Sequence, residues 1–243
     1  MFTLFKREIR NFLNSLIGYI VITVFLLINS LFLWVIPMDY NILENGYANI
    51  DGLFLLGPFV FLFLIPAITM RSFAEERRSG TIEMLMTKPL TDLQVILAKY
   101  FAGVVLVIFS LIPTLIYYIT VYYLGSTTGN LDSGGTWGSY IGLLFLGSAF
   151  VAIGLFASAI TENQIVSFIV SLFLCAFFYI GFELIYQMDI FGSFALFIQS
   201  LGINEHYSSI SRGVIDTRDL IYFLSIITIF ILLSKTSLQS RKW

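Results

Sequence analysis

Charged residues, histidine and cysteine are scarce in this 243-residue chain. Only 12% of its residues are Asp, Glu, Lys or Arg, whereas soluble domains carry about 25%. The single cysteine, Cys175, excludes a disulfide framework within the chain, and the single histidine, His206, makes a metal site improbable. The sequence has no G-x-x-x-x-G-K-[ST] phosphate loop and no H-E-x-x-H zinc motif. No recognisable nucleotide-binding or catalytic motif is therefore present.

Apolar residues, by contrast, make up 58% of the chain, and apolar runs of 18 or more residues recur. Each run can cross a bilayer core of about 30 Å at about 1.5 Å per helical residue. The pattern predicts an all-α polytopic membrane protein with six transmembrane helices, and we treat residues 1–243 as a single transmembrane domain. The predicted spans cover residues 16–36, 53–70, 100–124, 139–160, 165–187 and 220–238.

Two shorter segments are predicted to lie at the membrane surface. Residues 2–15 place apolar side chains on one helix face and Lys6, Arg7 and Arg10 on the other, with Leu4 as the one misfit. This pattern is typical of an amphipathic interfacial helix, although a solvated extension of the first span also fits it. Residues 188–219 are expected to be external or re-entrant, because their apolar stretch is too short to cross the membrane.

Basic residues are distributed unevenly between the two sides of the six-span arrangement. Eleven of the thirteen lysines and arginines fall on the side of the two termini and of residues 71–99, and the other two are Arg212 and Arg218. Basic residues accumulate on the cytoplasmic side of membrane proteins. The termini and residues 71–99 are therefore predicted to be cytoplasmic.

Residues 71–99 form the long polar interval of the first half of the chain, with five basic and four acidic residues. Their first part can form one or two short helices bent at Gly80, on which Glu75 and Arg78 can pair. Thr91 and Gln94 have the spacing of a capping box and open a helix that runs into the third span. We interpret this insert as a contact surface for a soluble partner. The alternative is a surface loop that only retains the basic residues in the cytoplasm.

Glu183 is the one ionisable residue placed well inside a predicted span, which makes it a candidate functional residue. It lies in the outer part of the fifth span. The alternative is that Glu183 reaches the solvated outer head groups or pairs with a tyrosine hydroxyl.

The insert RSFAEERRSGTIEMLMTKPLTDLQVILAKYFAG closely resembles the stretch after the second span of ABC-2 type transporter permeases. The resemblance extends over the whole chain, including the N-terminal amphipathic helix, the six spans and the short apolar elements before the last span. Residues Gly129–Gly147 and Ser211–Ser225 look closest to the gliding-motility-associated ABC transporter permease subunit of Bacteroidetes.

The resemblance implies a permease subunit of a bacterial inner membrane that is not itself an enzyme. ATP and Mg²⁺ would bind a separate cytoplasmic ATPase, and this chain would hold no cofactor and bind no nucleic acid. The second permease half would be another copy or a related membrane subunit with an external domain. The insert would be the coupling helix, and the residues expected to contact the ATPase are Glu75, Glu76, Arg77, Arg78, Gly80, Thr81, Glu83, Lys88 and Pro89.

Two other functions stay open at this point. The same surface could anchor a motility or secretion complex without any transport cycle, and an inactive ATPase that supports full function would favour that role. A secondary carrier that uses Glu183 is the third possibility, and unchanged activity of Glu183→Gln would remove it. The transported molecule and its direction do not follow from the sequence.

Overall fold

The computed structural model describes residues 1–44, 46–82, 90–188, 192–214 and 216–240, and the regular structure in these residues is helical, with no strand. The prediction of an all-α polytopic protein with six spans is confirmed. The assignment of the whole chain to one transmembrane domain stays a prediction. The six helical segments long and apolar enough to cross a bilayer are Gly18–Val35, Asp51–Arg78, Asp92–Leu124, Ser133–Ile160, Gln164–Gln187 and Thr217–Gln239.

The helices of the first half follow the predicted spans closely, and Pro113 lies in a 3-10 turn (Ile112–Thr114) that divides the third span. A π-helical turn (Leu31–Val35) ends the first span. The helices are α1 (Phe2–Asn14), α2 (Leu16–Ser30), α3 (Asp51–Thr69), α4 (Ala74–Arg78), α5 (Asp92–Leu111) and α6 (Leu115–Leu124).

The second half contains the longest helix and a fifth span that is interrupted by a π-helical turn (Phe177–Gly181). A 3-10 turn (Gly192–Phe194) precedes the short helices between the last two spans. The helices are α7 (Ser133–Ile160), α8 (Gln164–Ala176), α9 (Phe182–Gln187), α10 (Ala195–Gln199), α11 (Ile203–Ser211) and α12 (Thr217–Gln239).

Helix α7 is the central helix of the bundle and packs against α3, α5, α8, α11 and α12. Its glycines permit this because they leave room for neighbouring side chains. A Cβ added at Gly147 would lie 2.7 Å from a methyl of Val107 on α5, and one added at Gly154 would overlap the Thr69 hydroxyl on α3. The small residues of the fourth span therefore allow neighbouring helices to approach α7 closely.

Side chains cap the helices of two spans, and one of these caps, at Thr91, is the one that the sequence predicted. The Thr91 hydroxyl accepts the N–H of Gln94 at 3.3 Å, and the Gln94 side chain accepts the N–H of Thr91 at 3.2 Å. This capping box is confirmed, and α5 runs without a break from the insert into the third span. Asp216 caps the last span, with its side chain accepting the Arg218 N–H.

The cap at Asp216 makes the start of α12 sensitive to acid. The Arg218 backbone N–H donates to the Asp216 carboxylate at 3.0 Å and lowers the pKa of that carboxyl. Because the folded pKa is depressed, the cap stabilises α12 at and above the ordinary pKa of an aspartate. Its contribution is lost as the pH falls through the lowered value.

The segment between the last two spans is anchored on the bundle by α11. Ile203, Tyr207 and Ile210 are buried, and the Tyr207 hydroxyl donates to the Phe54 carbonyl of α3 at 2.6 Å. His206 lies beside the last span, with Nδ1 2.7 Å from a carboxylate oxygen of Asp219. Helix α11 is thus packed against protein, whereas Phe194, Leu196 and Phe197 at and beside α10 are exposed. The predicted re-entrant or interfacial position of the segment stays a prediction.

Replacing Gly138 with valine is expected to destabilise the protein by about 1–3 kcal/mol, the usual cost of overpacking. A Cβ at Gly138 would lie 2.6 Å from the Ile210 carbonyl oxygen and 2.9 Å from Gly213 Cα, both backbone atoms. Unfolding by sodium dodecyl sulfate in mild-detergent micelles measures the change. Gly134→Ala is the control, because its Cβ would have only Asp132 Oδ1 nearby at 3.5 Å. Equal stability of the two variants would contradict the packing described.

Candidate functional site

Helix α4 lies at one end of the bundle together with α1 and the N-terminus of α5, and we call this the charged end. Ser158, near the C-terminus of α7, fixes the turn that leads from α3 into α4. Its hydroxyl accepts the backbone N–H of Phe73 at 2.9 Å and of Ala74 at 3.0 Å, and it donates to the Met70 carbonyl at 3.0 Å. One fully buried side chain thus satisfies three backbone groups of the turn.

The predicted partner-contact residues divide between two faces of α4. Glu75 and Arg78 are exposed, as are Gly80 and Thr81 just beyond the helix. Gly80 has a φ of 69°, the left-handed conformation that glycine adopts most readily at a helix end. Glu75 and Arg78 are not within salt-bridge distance of each other in the described residues, so the predicted pair is wrong. Both charges face solvent.

Glu76 belongs to the inner face of α4, where it meets Lys99 of α5. The Lys99 Nζ lies 2.9 Å from Glu76 Oε1 and 3.6 Å from Glu8 Oε1, and only 3% of the Lys99 side chain is exposed. The same Nζ lies 5.2 Å from the centre of the Phe73 ring, within the range of a cation–π interaction. A buried lysine therefore joins α5 to α4 and to α1.

Arg7 completes this buried ion cluster, which consists of Arg7, Glu8, Glu76 and Lys99. Its guanidinium lies 2.9 Å from Glu8 Oε1 and 3.7 Å from Glu76 Oε1, with 44% of the side chain exposed. The cluster holds two positive and two negative charges, so it is neutral as a whole. Such pairing is what permits charged groups to be buried, because an unpaired ion there would cost several kcal/mol.

The cluster also explains why Leu4 breaks the amphipathic pattern of α1. Leu4 and Glu8 are one helical turn apart, both are buried, and α1 packs against α5. Lys6 and Arg10 are exposed on α1, as predicted for its polar face. Arg7 is exposed as well, and its guanidinium also reaches Glu8 of the ion cluster. The interfacial position of α1 stays a prediction.

Arg77 lies beside Glu76 on α4 and is only 7% exposed. Its Nε and both terminal nitrogens have no hydrogen-bond partner in the described structure. A guanidinium carries five N–H donors, and buried donors without acceptors are costly. The other predicted contact residues, Glu83, Lys88 and Pro89, lie outside the described residues.

Glu183 lies at the opposite end of the bundle, on α9, and is half-buried. The Asn204 side-chain amide donates to Glu183 Oε2 at 2.6 Å. The observed partner is therefore an amide of α11 rather than a tyrosine hydroxyl. Within the described residues, no group of three or more His, Cys, Asp or Glu side chains could hold a metal ion.

Sequence reasoning missed Glu8, Phe73 and Ser158 at the charged end. A signal for Glu8 was present, because it follows the misfit Leu4 by four residues and so shares its helix face. Ser158 gave no such signal, since serine is common among the small residues of a close-packed span. The three hydrogen bonds of Ser158 form only because the turn after α3 passes beside this position of α7.

Six apolar helices, with a short charged helix held on the bundle between the second and third, define a polytopic helical membrane subunit. The family described as ABC-2 family transporter protein matches residues 2–242. The chain therefore belongs to the ABC-2 family of transporter proteins, whose membrane subunits are generally not catalytic themselves. Membership implies a membrane setting and an ABC ATPase partner. No curated protein matches the chain significantly.

Proposed function

We propose that this permease subunit couples ATP hydrolysis on a separate cytoplasmic ABC ATPase to movement of its own helices, with α4 as the docking element. The observation that carries the proposal is the division of α4 into two faces. Glu75 and Arg78 are exposed and available to a partner, whereas Glu76 is bound to other helices of the bundle. The ATPase can therefore bind the exposed face of α4, and a displacement of α4 can pass through its inner face to the other helices of the bundle.

Three connections from α4 support this transmission. The turn before α4 is bound to α7 through Ser158, and Glu76 is bound to α5 through Lys99. Glu8 brings α1 into the same ion cluster. Because α5 continues directly into the third span, a displacement of α4 would reach the membrane interior through helix rather than through a loop.

Arg77 supports the proposal because its buried guanidinium has no acceptor in the described residues. An acidic side chain of the docked ATPase could supply one after a small rearrangement of α4. Charge-assisted hydrogen bonds of this kind are roughly twice as strong as neutral ones. The exposed Arg78 beside it would add to the attraction.

The charge distribution of the chain supports the proposed orientation, and its resemblance to a bacterial permease subunit supports the proposed location. Eleven of the thirteen basic residues belong to the termini and the insert, which supports a cytoplasmic charged end by the positive-inside bias. We therefore place the protein in a bacterial inner membrane with both termini in the cytoplasm. ATP and Mg²⁺ would bind the ATPase subunit.

The second permease half and the biological process are further parts of the proposal. The likeness of residues Gly129–Gly147 and Ser211–Ser225 to the gliding-motility-associated subunit favours a role in motility. That likeness also favours a related membrane subunit with an external domain as the second half, although a homodimer has the same architecture. Purification in mild detergent without overexpressed partners, followed by identification of the bound subunits, distinguishes the two assemblies.

Reversing both exposed charges of α4, as Glu75→Lys with Arg78→Glu, is expected to lower ATPase co-purification about tenfold or more. Like charges brought together across an interface cost several kcal/mol, and each 1.4 kcal/mol is about tenfold in affinity. Both side chains are exposed, so folding should be affected by less than about 0.5 kcal/mol. Glu44→Lys, an exposed reversal at the opposite end, is the control.

Full co-purification of the doubly reversed variant would contradict docking through α4. Stimulation of ATP hydrolysis in reconstituted vesicles then separates transport from anchoring. A transport role requires that the permease and the ATPase activity depend on each other. Full function with an ATPase that binds but cannot hydrolyse ATP would favour a membrane anchor for a motility or secretion complex.

A further inference from the structure

A cavity of about 840 Å³ opens at the end of the bundle opposite α4. Helices α3, α7, α9 and α11 and the π-helical turn before α9 enclose it. Its volume lies within the range of about 300–1,000 Å³ that is typical of small-molecule sites. The residues described above for ATPase docking do not line it, so the cavity can be considered independently of α4.

The inner wall of the cavity is apolar and aromatic. Phe54 and Phe59 of α3 and Tyr179 of the π-helical turn line it. The Phe59 and Tyr179 rings meet edge to face at 5.8 Å, and the Phe54 carbonyl accepts the Tyr207 hydroxyl at 2.6 Å. Each wall residue is thus held by another element, and the apolar surface is formed before any ligand binds.

The polar part of the lining carries Asp51, Asp132, Glu183 and Arg212. With the three carboxylates ionised and Arg212 protonated, these four side chains have a formal charge of minus two. No carboxylate in the described residues lies within salt-bridge distance of Arg212, so the negative charge is not neutralised locally. Glu183 is half-buried and accepts a hydrogen bond from the Asn204 amide at 2.6 Å, which holds one carboxylate in place at the cavity wall.

We propose that this cavity binds an amphiphile with a cationic head group. The apolar portion of the ligand would lie against Phe54 and Phe59, and the cation would lie near Glu183 and Asp51. Tyr179 adds an aromatic ring to the lining, and aromatic rings attract cations. Asp132 also caps α7, its Oδ1 accepting the Gly135 N–H at 3.0 Å, so the carboxylates that define the site are Glu183 and Asp51.

The proposal adds a class of ligand to the proposed permease function. Only the interpretation of the ligand as a transported or regulatory molecule rests on that function, and the binding itself does not. A half-buried carboxylate in a membrane span is costly unless it is compensated. The Asn204 amide compensates one oxygen of Glu183 with a neutral donor. A ligand cation would add the opposite charge, which explains why the carboxylate is kept there.

Protection of an engineered cysteine tests the proposal without any ATPase. Cys175 is buried and is the single cysteine of the chain, so Cys175→Ser gives a background without thiols. Ser208→Cys then places one thiol on the cavity wall, and Glu44→Cys places one outside the cavity. The intact chain in neutral phosphatidylcholine nanodiscs is labelled with a membrane-impermeant maleimide, with or without hexadecyltrimethylammonium.

The expected result is that hexadecyltrimethylammonium slows labelling of Ser208→Cys and leaves Glu44→Cys unaffected. Hexadecyl sulfate, which has the same chain and the opposite charge, should protect much less. Asp51→Asn with Glu183→Gln should raise the half-protecting concentration about tenfold or more, equal to about 1.4 kcal/mol. Arg212→Gln should lower it, since that change makes the lining more negative.

Equal protection by both amphiphiles, or no protection by either, would overturn the proposal. So would an unchanged half-protecting concentration in the Asp51→Asn and Glu183→Gln variant together with no shift in Arg212→Gln. The Arg212 variant keeps the test valid if the acidic variant fails to fold, because it predicts tighter binding. Failure here would leave ATPase docking at α4 untouched, and loss of docking would not affect protection.

Discussion

Replacing Lys99 with methionine is expected to lower the free energy of unfolding by about 3–5 kcal/mol, the usual cost of removing one partner of a buried ion pair. The Lys99 side chain is 3% exposed, and its Nζ lies 2.9 Å from Glu76 and 3.6 Å from Glu8. Methionine preserves the volume but leaves these two carboxylates facing each other with only Arg7 beside them. Unfolding by sodium dodecyl sulfate in mild-detergent micelles measures the loss.

Two further variants serve as controls: one that should restore stability, and one that should lose little of it. Adding Glu8→Gln and Glu76→Gln to Lys99→Met removes the uncompensated negative charge and should recover most of the lost stability. Arg7→Met removes a cation from the same cluster, but 44% of that side chain is exposed, so the loss should be about 1 kcal/mol or less. Equal effects of Lys99→Met and Arg7→Met would contradict the buried cluster.

ATPase stimulation should fail in Lys99→Met even under conditions in which the variant remains folded. The reason is that the ion pair is the connection between α4 and the helix that enters the membrane as the third span. ATPase binding should persist, because Glu75 and Arg78 remain exposed. Binding without stimulation is therefore the expected signature of a broken connection, and loss of both would indicate that α4 itself is misplaced.

Ser158→Ala is expected to destabilise the protein by about 2–4 kcal/mol, because two buried backbone N–H groups and one carbonyl lose their partner together. Each buried group left unsatisfied costs about 1–3 kcal/mol, and the Ser158 hydroxyl serves Phe73, Ala74 and Met70 at once. Unfolding in micelles gives the size of the effect. Hydrogen exchange of the Phe73 and Ala74 amides shows whether it is local.

Ser234→Ala is the matched control. Ser234 is also fully buried, but its hydroxyl donates only to the Phe230 carbonyl of its own helix, at 2.8 Å. That carbonyl keeps its helical acceptor role after the change, so the expected loss is about 1 kcal/mol or less. If the two alanine variants were equally stable, Ser158 would not be the fixing point of the turn.

The parts of the fold that the sequence predicts are those determined by local pattern. Long apolar runs fix the number of spans, because only a helix satisfies its own backbone groups inside a bilayer. The capping box at Thr91 is also a local pattern, because its partner Gln94 is only three residues away in the sequence. Both depend on neighbours in the chain.

The candidate site depends on contacts between distant segments, and here the sequence is less informative. The five residues of α4 give too short a pattern to show which face is buried, so Glu76 and Arg77 were grouped with Glu75 and Arg78. Arg77 is buried and Glu76 is paired with Lys99 of α5, and both depend on how α4 packs in the bundle. A five-residue helix takes its orientation from its surroundings, not from its own sequence.

Glu183 shows the same limit at the other end of the bundle. Its place in a span marked it as unusual, which residue type and position alone can reveal. Its partner Asn204 belongs to α11, across a segment whose path between the fifth and sixth spans the sequence does not specify. The cavity around Glu183 is formed by four elements that are distant in the sequence, so the sequence alone does not predict it.

Site-specific photocrosslinking in native membranes tests the central claim, docking of an ATPase on α4, most directly. A benzophenone amino acid replaces Arg78 on the exposed side of α4 or Thr81 just beyond the helix, and Arg10 on α1 serves as a control at the same end of the bundle. The proposed docking predicts that positions 78 and 81 form an adduct with a soluble protein that carries a G-x-x-x-x-G-K-[ST] loop, and that position 10 does not. An ATPase adduct at position 10 alone, or none at 78 and 81 while ATP-dependent function persists, would contradict it.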